Sequence, residues 1–278
     1  MDQRVDSLKR LSVQGDTVRI LQVTDMHLSA FPGGKLLGLD TDYSLQAVLD
    51  LIREERGAAD LVLATGDLAD AGVAGAYRRA ADYLTQVARD QVWLPGNHDN
   101  VEVMREIGGL ERTSGEVRVG NWQILLLNSQ VPGEVDGRLG EAELARLEEA
   151  LANGAAENLH SLVCLHHHPI SIGCDWLDQQ IVEDADAFFA VIDKFPNVRA
   201  ILWGHVHQEV HKARGSVELL CAPSTCIQFL PNQVDFALDN KPPGYRWLDL
   251  HADGSFETGV SRAETGVFPV DREAGGYL

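Results

Sequence analysis

Five runs rich in Val, Ile, Leu and Trp punctuate the chain, at 18–23, 61–64, 91–94, 162–165 and 198–203. Runs of this length and composition predict buried strands. Each one gives way to a polar cluster: Asp25-Met26-His27, Gly66-Asp67-Leu68-Ala69-Asp70, Gly96-Asn97-His98-Asp99, His166-His167-His168-Pro169 and Gly204-His205-Val206-His207. Polar residues that begin where parallel strands stop would line a crevice at the carboxyl edge of a sheet, the place where α/β proteins bind ligands.

Helical spacing fills the gaps. Ser44 can cap a helix in which Leu45, Val48, Leu49 and Ile52 recur at i, i+3, i+4 and i+7, ending at Gly57. Tyr77, Ala80, Ala81, Leu84 and Val87 repeat in the same way, as do Leu144, Leu147 and Leu151, and a fourth helix is expected over about 179–194. Strand, polar loop and helix in alternation describe an α/β layered fold with crossover connections. After His207 the pattern changes to short strand-like pieces at 217–222, 244–250 and 255–260, which predict a second, largely antiparallel sheet. Residues 263–278 read as an irregular tail.

Composition narrows the class. With 278 residues and 45% hydrophobic content the chain can bury a large core. The polar clusters are spread over residues 25–207, so splitting that span would split the site, and a single domain over 1–278 is expected. The 42 acidic against 23 basic residues give a formal charge of -19, which argues against nucleic acid as a partner. Charges crowd the first twenty residues and no apolar run is long enough to cross a bilayer, so a cytoplasmic protein without a membrane partner is expected. Four cysteines without CxxC spacing read as reduced thiols.

The cluster residues are Asp, Asn and His without Cys. That set suits Mn, Fe, Zn or Co ions, and is too rich in imidazole for Ca or Mg. A carboxylate can bridge two ions, and Asp67 is the candidate bridge. Two divalent ions against Asp25, Asp67 and a bridging hydroxide leave the centre at about +1, which favours an anionic phosphodiester. The bridging hydroxide is then the expected nucleophile. His98, one residue past Asn97, is placed to protonate the leaving oxygen, with Asp70 preferred to Asp99 as the carboxylate that stabilises its imidazolium. Taken alone, Gly-Asn-His-Asp is an ordinary turn sequence, and Gly-His-x-His could end a strand with one packed histidine. Five such clusters in order, each after a strand, make the metal reading the better one.

With these motifs placed, the chain resembles the calcineurin-like metallophosphoesterases. Within them it is most similar to the bacterial class III 3′,5′-cyclic-AMP phosphodiesterases, through Leu21–Leu28, Trp93–Asp99, Leu165–Pro169 and Pro223–Cys226, over about residues 18–262. The resemblance implies two mixed sheets packed as a sandwich and flanked by helices, a four-layer αββα fold. It implies one metal on Asp25, His27, Asp67 and His207, and another on Asp67, Asn97, His167 and His205. His167 is chosen as the histidine two places before the Pro, with His166 and His168 left as alternatives. Substrate contacts fall to His27, Asp67, Asn97, His98 and His207. The implied reaction is hydrolysis of cyclic AMP to 5′-AMP with two divalent transition ions, Fe or Mn before Zn or Co. Another small phosphodiester, a nucleotide pyrophosphate or a phosphomonoester would use the same site. An inactive scaffold should lack ligands, and none is missing here.

Overall fold

The alternating runs assemble two mixed sheets. The chain is described by a computed structural model over residues 7–13 and 15–276; residues 1–6, 14 and 277–278, and with them both ends of the expected domain and tail, lie outside the described residues. The first half carries strands β1 (Leu8–Leu11), β2 (Thr17–Val23), β3 (Lys35–Leu36), β4 (Leu39–Asp40), β5 (Ala59–Thr65), β6 (Ala88–Leu94), β7 (Glu116–Val119) and β8 (Trp122–Leu126). The second half adds β9 (His160–Cys164), β10 (Val198–Trp203), β11 (Val210–Arg214), β12 (Val217–Cys221), β13 (Gly244–His251) and β14 (Phe256–Arg262). The helices are α1 (Thr41–Glu55), α2 (Ala74–Leu84), α3 (Val101–Arg112), α4 (Gly140–Ala156), α5 (Asp175–Asp178) and α6 (Ala185–Ile192).

One sheet has the order β14-β13-β2-β5-β6 and the other β1-β7-β8-β9-β10-β12-β11, with β3 and β4 forming a separate hairpin. The strands that precede the polar clusters run parallel: β2, β5 and β6 in the first sheet, β9 and β10 in the second. Their carboxyl ends therefore fall on one edge of each sheet.

Side-chain alternation decides what lies between the sheets. Val18, Ile20, Leu61, Leu63 and Val92 from the first sheet meet Ile124, Leu162, Cys164, Ala200 and Leu202 from the second in one apolar layer. The opposite face of the first sheet is covered by Leu45, Leu49, Tyr77, Leu84 and Met104 from α1, α2 and α3. Leu147, Leu151, Phe188 and Ile192 from α4 and α6 cover the second. Helix, sheet, sheet, helix is the four-layer arrangement that the resemblance implies.

Several expectations need correction. The first helix starts three residues before Ser44, capped by Asp40, whose carboxylate accepts the Tyr43 N–H at 2.9 Å. Ser44 lies inside it, buried, and donates to the Thr225 carbonyl at 2.6 Å. Of the helix expected over about 179–194 only α6 forms, from 185 to 192, because residues 182–184 serve other partners. Val182 N–H reaches the His168 carbonyl, Glu183 N–H the Gly137 carbonyl, and the Asp184 carboxylate receives Leu139 and Gly140 N–H. The late strands form no sheet of their own: β12 lies parallel to β10 and β13 antiparallel to β2. Each thereby completes a sheet and places Leu220, Leu248 and Leu250 in the central layer. The described tail residues, 263–276, have no regular structure but pack on the body, through Asp271 N–H on the Leu37 carbonyl and Phe268 against Tyr43. All four cysteines are buried free thiols.

Candidate metal centre

Past the ends of β2 and β5 the two chains stay paired. Asp25, His27 and Leu28 N–H groups bond the carbonyls of Gly66, Asp67 and Leu68 at 2.9 to 3.1 Å, and Asp70 N–H returns to the Leu28 carbonyl at 3.0 Å. The second sheet is knitted on by His205 N–H, which meets both Asp25 carboxylate oxygens at 3.0 and 3.1 Å.

Asp25, His27, Asp67, His205 and His207 all have positive φ, between 46° and 67°. Five residues with side chains in a sparsely allowed backbone region mark strain that the surrounding structure must hold, as functional sites do. Two glycines leave the room for this. A Cβ on Gly66, whose φ is +99°, would lie 2.1 Å from His166 Nδ1, and one on Gly204 would lie 2.2 Å from Thr24 Oγ1 and 2.9 Å from Asp25 Oδ2.

The carboxylates and imidazoles converge in two adjoining groups. Asp25, His27 and His207 form one: His207 Nε2 is 3.4 Å from Asp25 Oδ1 and 3.2 Å from His27 Nε2. The other brings His166 to Asp67 and Asn97, with His166 Nε2 3.2 Å from both Asp67 Oδ2 and Asn97 Oδ1. His205 stands edge-on to His166, and the ligand atoms of His166, His167 and His205 fall within 4.8 Å of one another. Asp67 belongs to both groups. Its Oδ2 also lies 3.8 Å from His27 Nε2, while Oδ1 receives the His98 N–H at 2.9 Å.

Of the three histidines expected to offer a ligand, His167 first and His166 or His168 as alternatives, it is His166 that faces Asp67 and Asn97. The three histidines follow the end of β9 at Cys164 and are all buried, with the His167 ring 4.7 Å from that of His205. His166 Nδ1 donates to the Thr65 carbonyl at 2.9 Å, which turns Nε2 towards Asp67 and Asn97. His167 is instead engaged by Ser129 Oγ at 2.8 Å and the Val135 carbonyl at 3.1 Å.

His98 sits at the rim with its ring edge-on to His27, and its Nδ1 donates to the Asp70 backbone carbonyl at 3.2 Å. The Asp70 carboxylate lies 3.9 Å from that nitrogen and 3.8 Å from His27 Nδ1. Asp99 has other work. Buried, it accepts Leu68, Ala69 and Gly96 N–H and the Tyr77 hydroxyl, and so ties the second polar cluster to the third. Its part as a hub had no signal in the sequence beyond its place in the motif.

Electrostatics separates the carboxylates. Burial works against ionisation of Asp67, but the charge and hydrogen bond of His166 hold it well below the usual range. Asp25 is lowered likewise, burial being outweighed by His207. For Asp70, the neighbouring His27 imidazole is the main cause of a lowered value. Asp99 is pushed up to about 7, by burial and then by the charge of Asp67. Burial, then the neighbouring histidines, holds His205 well below its ordinary value.

These residues fit divalent metal ions. His205 Nε2 is buried with no hydrogen-bond partner among the described residues, a cost of about 1–3 kcal/mol that a cation would remove. Two imidazole nitrogens facing each other at 3.2 Å beside two ionised carboxylates also suit an ion better than a proton.

Comparison with known proteins agrees with this geometry. Residues 18–209 match the calcineurin-like phosphoesterase family. The chain is 43% identical to the 3′,5′-cyclic adenosine monophosphate phosphodiesterase CpdA of Escherichia coli (strain K12), over 98% of this chain and 100% of the relative. It is 42% identical to the protein of the same name from Pseudomonas aeruginosa, over 94% and 96%. A 3′,5′-cyclic-nucleotide phosphodiesterase from Nostoc is 38% identical over 88% and 92%. Among solved structures, a dimetal phosphatase from Danio rerio superposes with a TM-score of 0.59 at 14% identity, covering 88% of this chain and 99% of that one, a likeness of fold alone.

Proposed function

The chain belongs to the calcineurin-like phosphoesterase family, and from that premise we propose that it hydrolyses 3′,5′-cyclic AMP to 5′-AMP at the paired carboxylate and imidazole groups. The observation that carries the reading is identity of 42–43% to two cyclic-AMP phosphodiesterases along nearly the whole chain, together with the Asp, Asn and His groups gathered at one edge.

Asp25, His27, Asp67 and His207 would hold one ion, and Asp67, Asn97, His166 and His205 the other, with Fe or Mn preferred and Zn or Co possible on donor chemistry. Bound there, two divalent ions supply positive charge against the phosphoryl oxygens and lower the pKa of water. The chain's own residues account for the rest. Asp67 turns Oδ2 towards both groups, and the bond from His98 N–H to its Oδ1 ties the position of the acid to that of the ligands. With Nδ1 committed to the Asp70 carbonyl, His98 turns Nε2 to the substrate. A water that has given one proton to solvent forms the new bond to phosphorus through its oxygen, the P–O3′ bond breaks on the opposite side, and protonated His98 gives its proton to O3′, to be reprotonated from solvent. Asp70 stabilises the imidazolium before transfer. The ligands come from both sheets and from residues 25 to 207, so the catalytic unit is one domain with its core at 18–262. Among the described residues no helix is long and apolar enough to cross a membrane.

The test is turnover of cyclic AMP with Mn or Fe supplied, beside a panel of a linear diester, a nucleotide pyrophosphate and a phosphomonoester. The highest specificity constant is expected for cyclic AMP, and Asp67→Ala should abolish turnover. A higher constant for another ester would replace the substrate and keep the site.

A further inference from the structure

A cleft of about 680 Å³ opens directly beside Asn97 and His98, between the start of α3 and the loop after β8. Asn100 and Arg105 line one side; Asn128, Gln130, Pro132 and Gly133 line the other. His98 itself lines it, and the lining is rich in amides. Resting on the function proposed above, in which His98 serves the 3′-oxygen, the ribose that carries this oxygen would enter the cleft.

The second wall has no regular structure and needs holding. Residues 129–138 close on themselves through Arg138 N–H to the Ser129 carbonyl and the Gln130–Gly137 bridge. Gln130 Nε2 donates to the Gly96 and Asp99 carbonyls at 2.7 and 2.6 Å, fastening the wall to the Asn97 loop. His167 fastens the rest. A carbonyl only accepts, so the bond to Val135 puts the ring proton on Nε2, and Nδ1 then accepts from the Ser129 hydroxyl. Both ring nitrogens are thereby spent within the chain, leaving no lone pair for an ion. Gly137 lies so close over the ring that a Cβ would approach His167 Cγ to 2.5 Å.

We propose that His167 is not a metal ligand but a positioning residue, which fixes residues 129–138 as the wall of a nucleoside seat beside His98. It acts on the substrate through that wall and touches no reacting atom.

The experiment uses the full chain loaded with Mn. Elemental analysis is combined with kcat and KM for cyclic AMP and for bis(p-nitrophenyl) phosphate, a diester without a nucleoside. His167→Ala should keep the metal content of the unaltered chain, raise KM for cyclic AMP about tenfold, and change kcat/KM for the aryl diester less than about threefold, the loss being that of one or two buried hydrogen bonds. His167→Gln, which keeps a donor for Val135, should recover part of the KM. Ser129→Ala should shift KM in the same direction and carries the test if His167→Ala does not fold. Loss of an ion in His167→Ala, equal losses on both substrates, or an unchanged KM for cyclic AMP would overturn the proposal. An unaltered chain that cleaves the aryl diester but not cyclic AMP would defeat the function reading and take the nucleoside seat with it; in every other failure that reading survives.

Discussion

At the scale of single residues, His98 and His166 make separable claims. His98→Ala should retain both ions and lose about 10²–10⁴-fold in kcat, the usual worth of a positioned acid, in a stopped assay with metal content measured alongside. His166→Ala should lose metal as well as turnover, since its Nε2 faces Asp67 and Asn97. Titration of Mn against each variant distinguishes them: equal metal affinity in the two would contradict the division of roles. Most of these residues were legible because their clusters follow strands. The rest were hidden for a physical reason: three consecutive histidines look alike until tertiary packing turns His166 to Asp67 and Asn97 and His167 to Ser129 and Val135. The resemblance offered a spacing rule from the Pro, which cannot see that packing.

Among the elements, the loops between strand and helix bear the strain. Asp99→Ala would leave Leu68, Ala69 and Gly96 N–H without their acceptor, so unfolding in urea should show a loss of about 3–5 kcal/mol. The direction follows from burial, as three donors have no water to turn to. Gly204→Ala should lower metal affinity, because its Cβ must displace Thr24 Oγ1 and crowd Asp25 Oδ2, and a metal titration followed by activity checks it. Periodicity located the five ligand strands and the bodies of α1, α2 and α4. It missed α3, β7 and β8, among other elements, and it began α6 too early because the pull of the 137 and 168 carbonyls on residues 182 and 183 is tertiary.

For the whole molecule, the two sheets are pressed together by one apolar layer, and the polar edge of that layer is the candidate centre. Arg246 shows how tightly they are tied there: buried on β13 of one sheet, it donates to the carbonyls of Cys221 and Val210 on the other. The late strands were expected to stand apart because pairing partners cannot be read from one sequence; the central layer decides where they go. The most direct test of the account is cyclic-AMP turnover measured against divalent metal bound per chain, in the unaltered protein and in Asp67→Ala. Turnover should rise to its maximum as the second ion binds, and Asp67→Ala should neither hold two ions nor turn over. Full activity at one ion or none, or an active Asp67→Ala, would contradict a paired-metal phosphodiesterase.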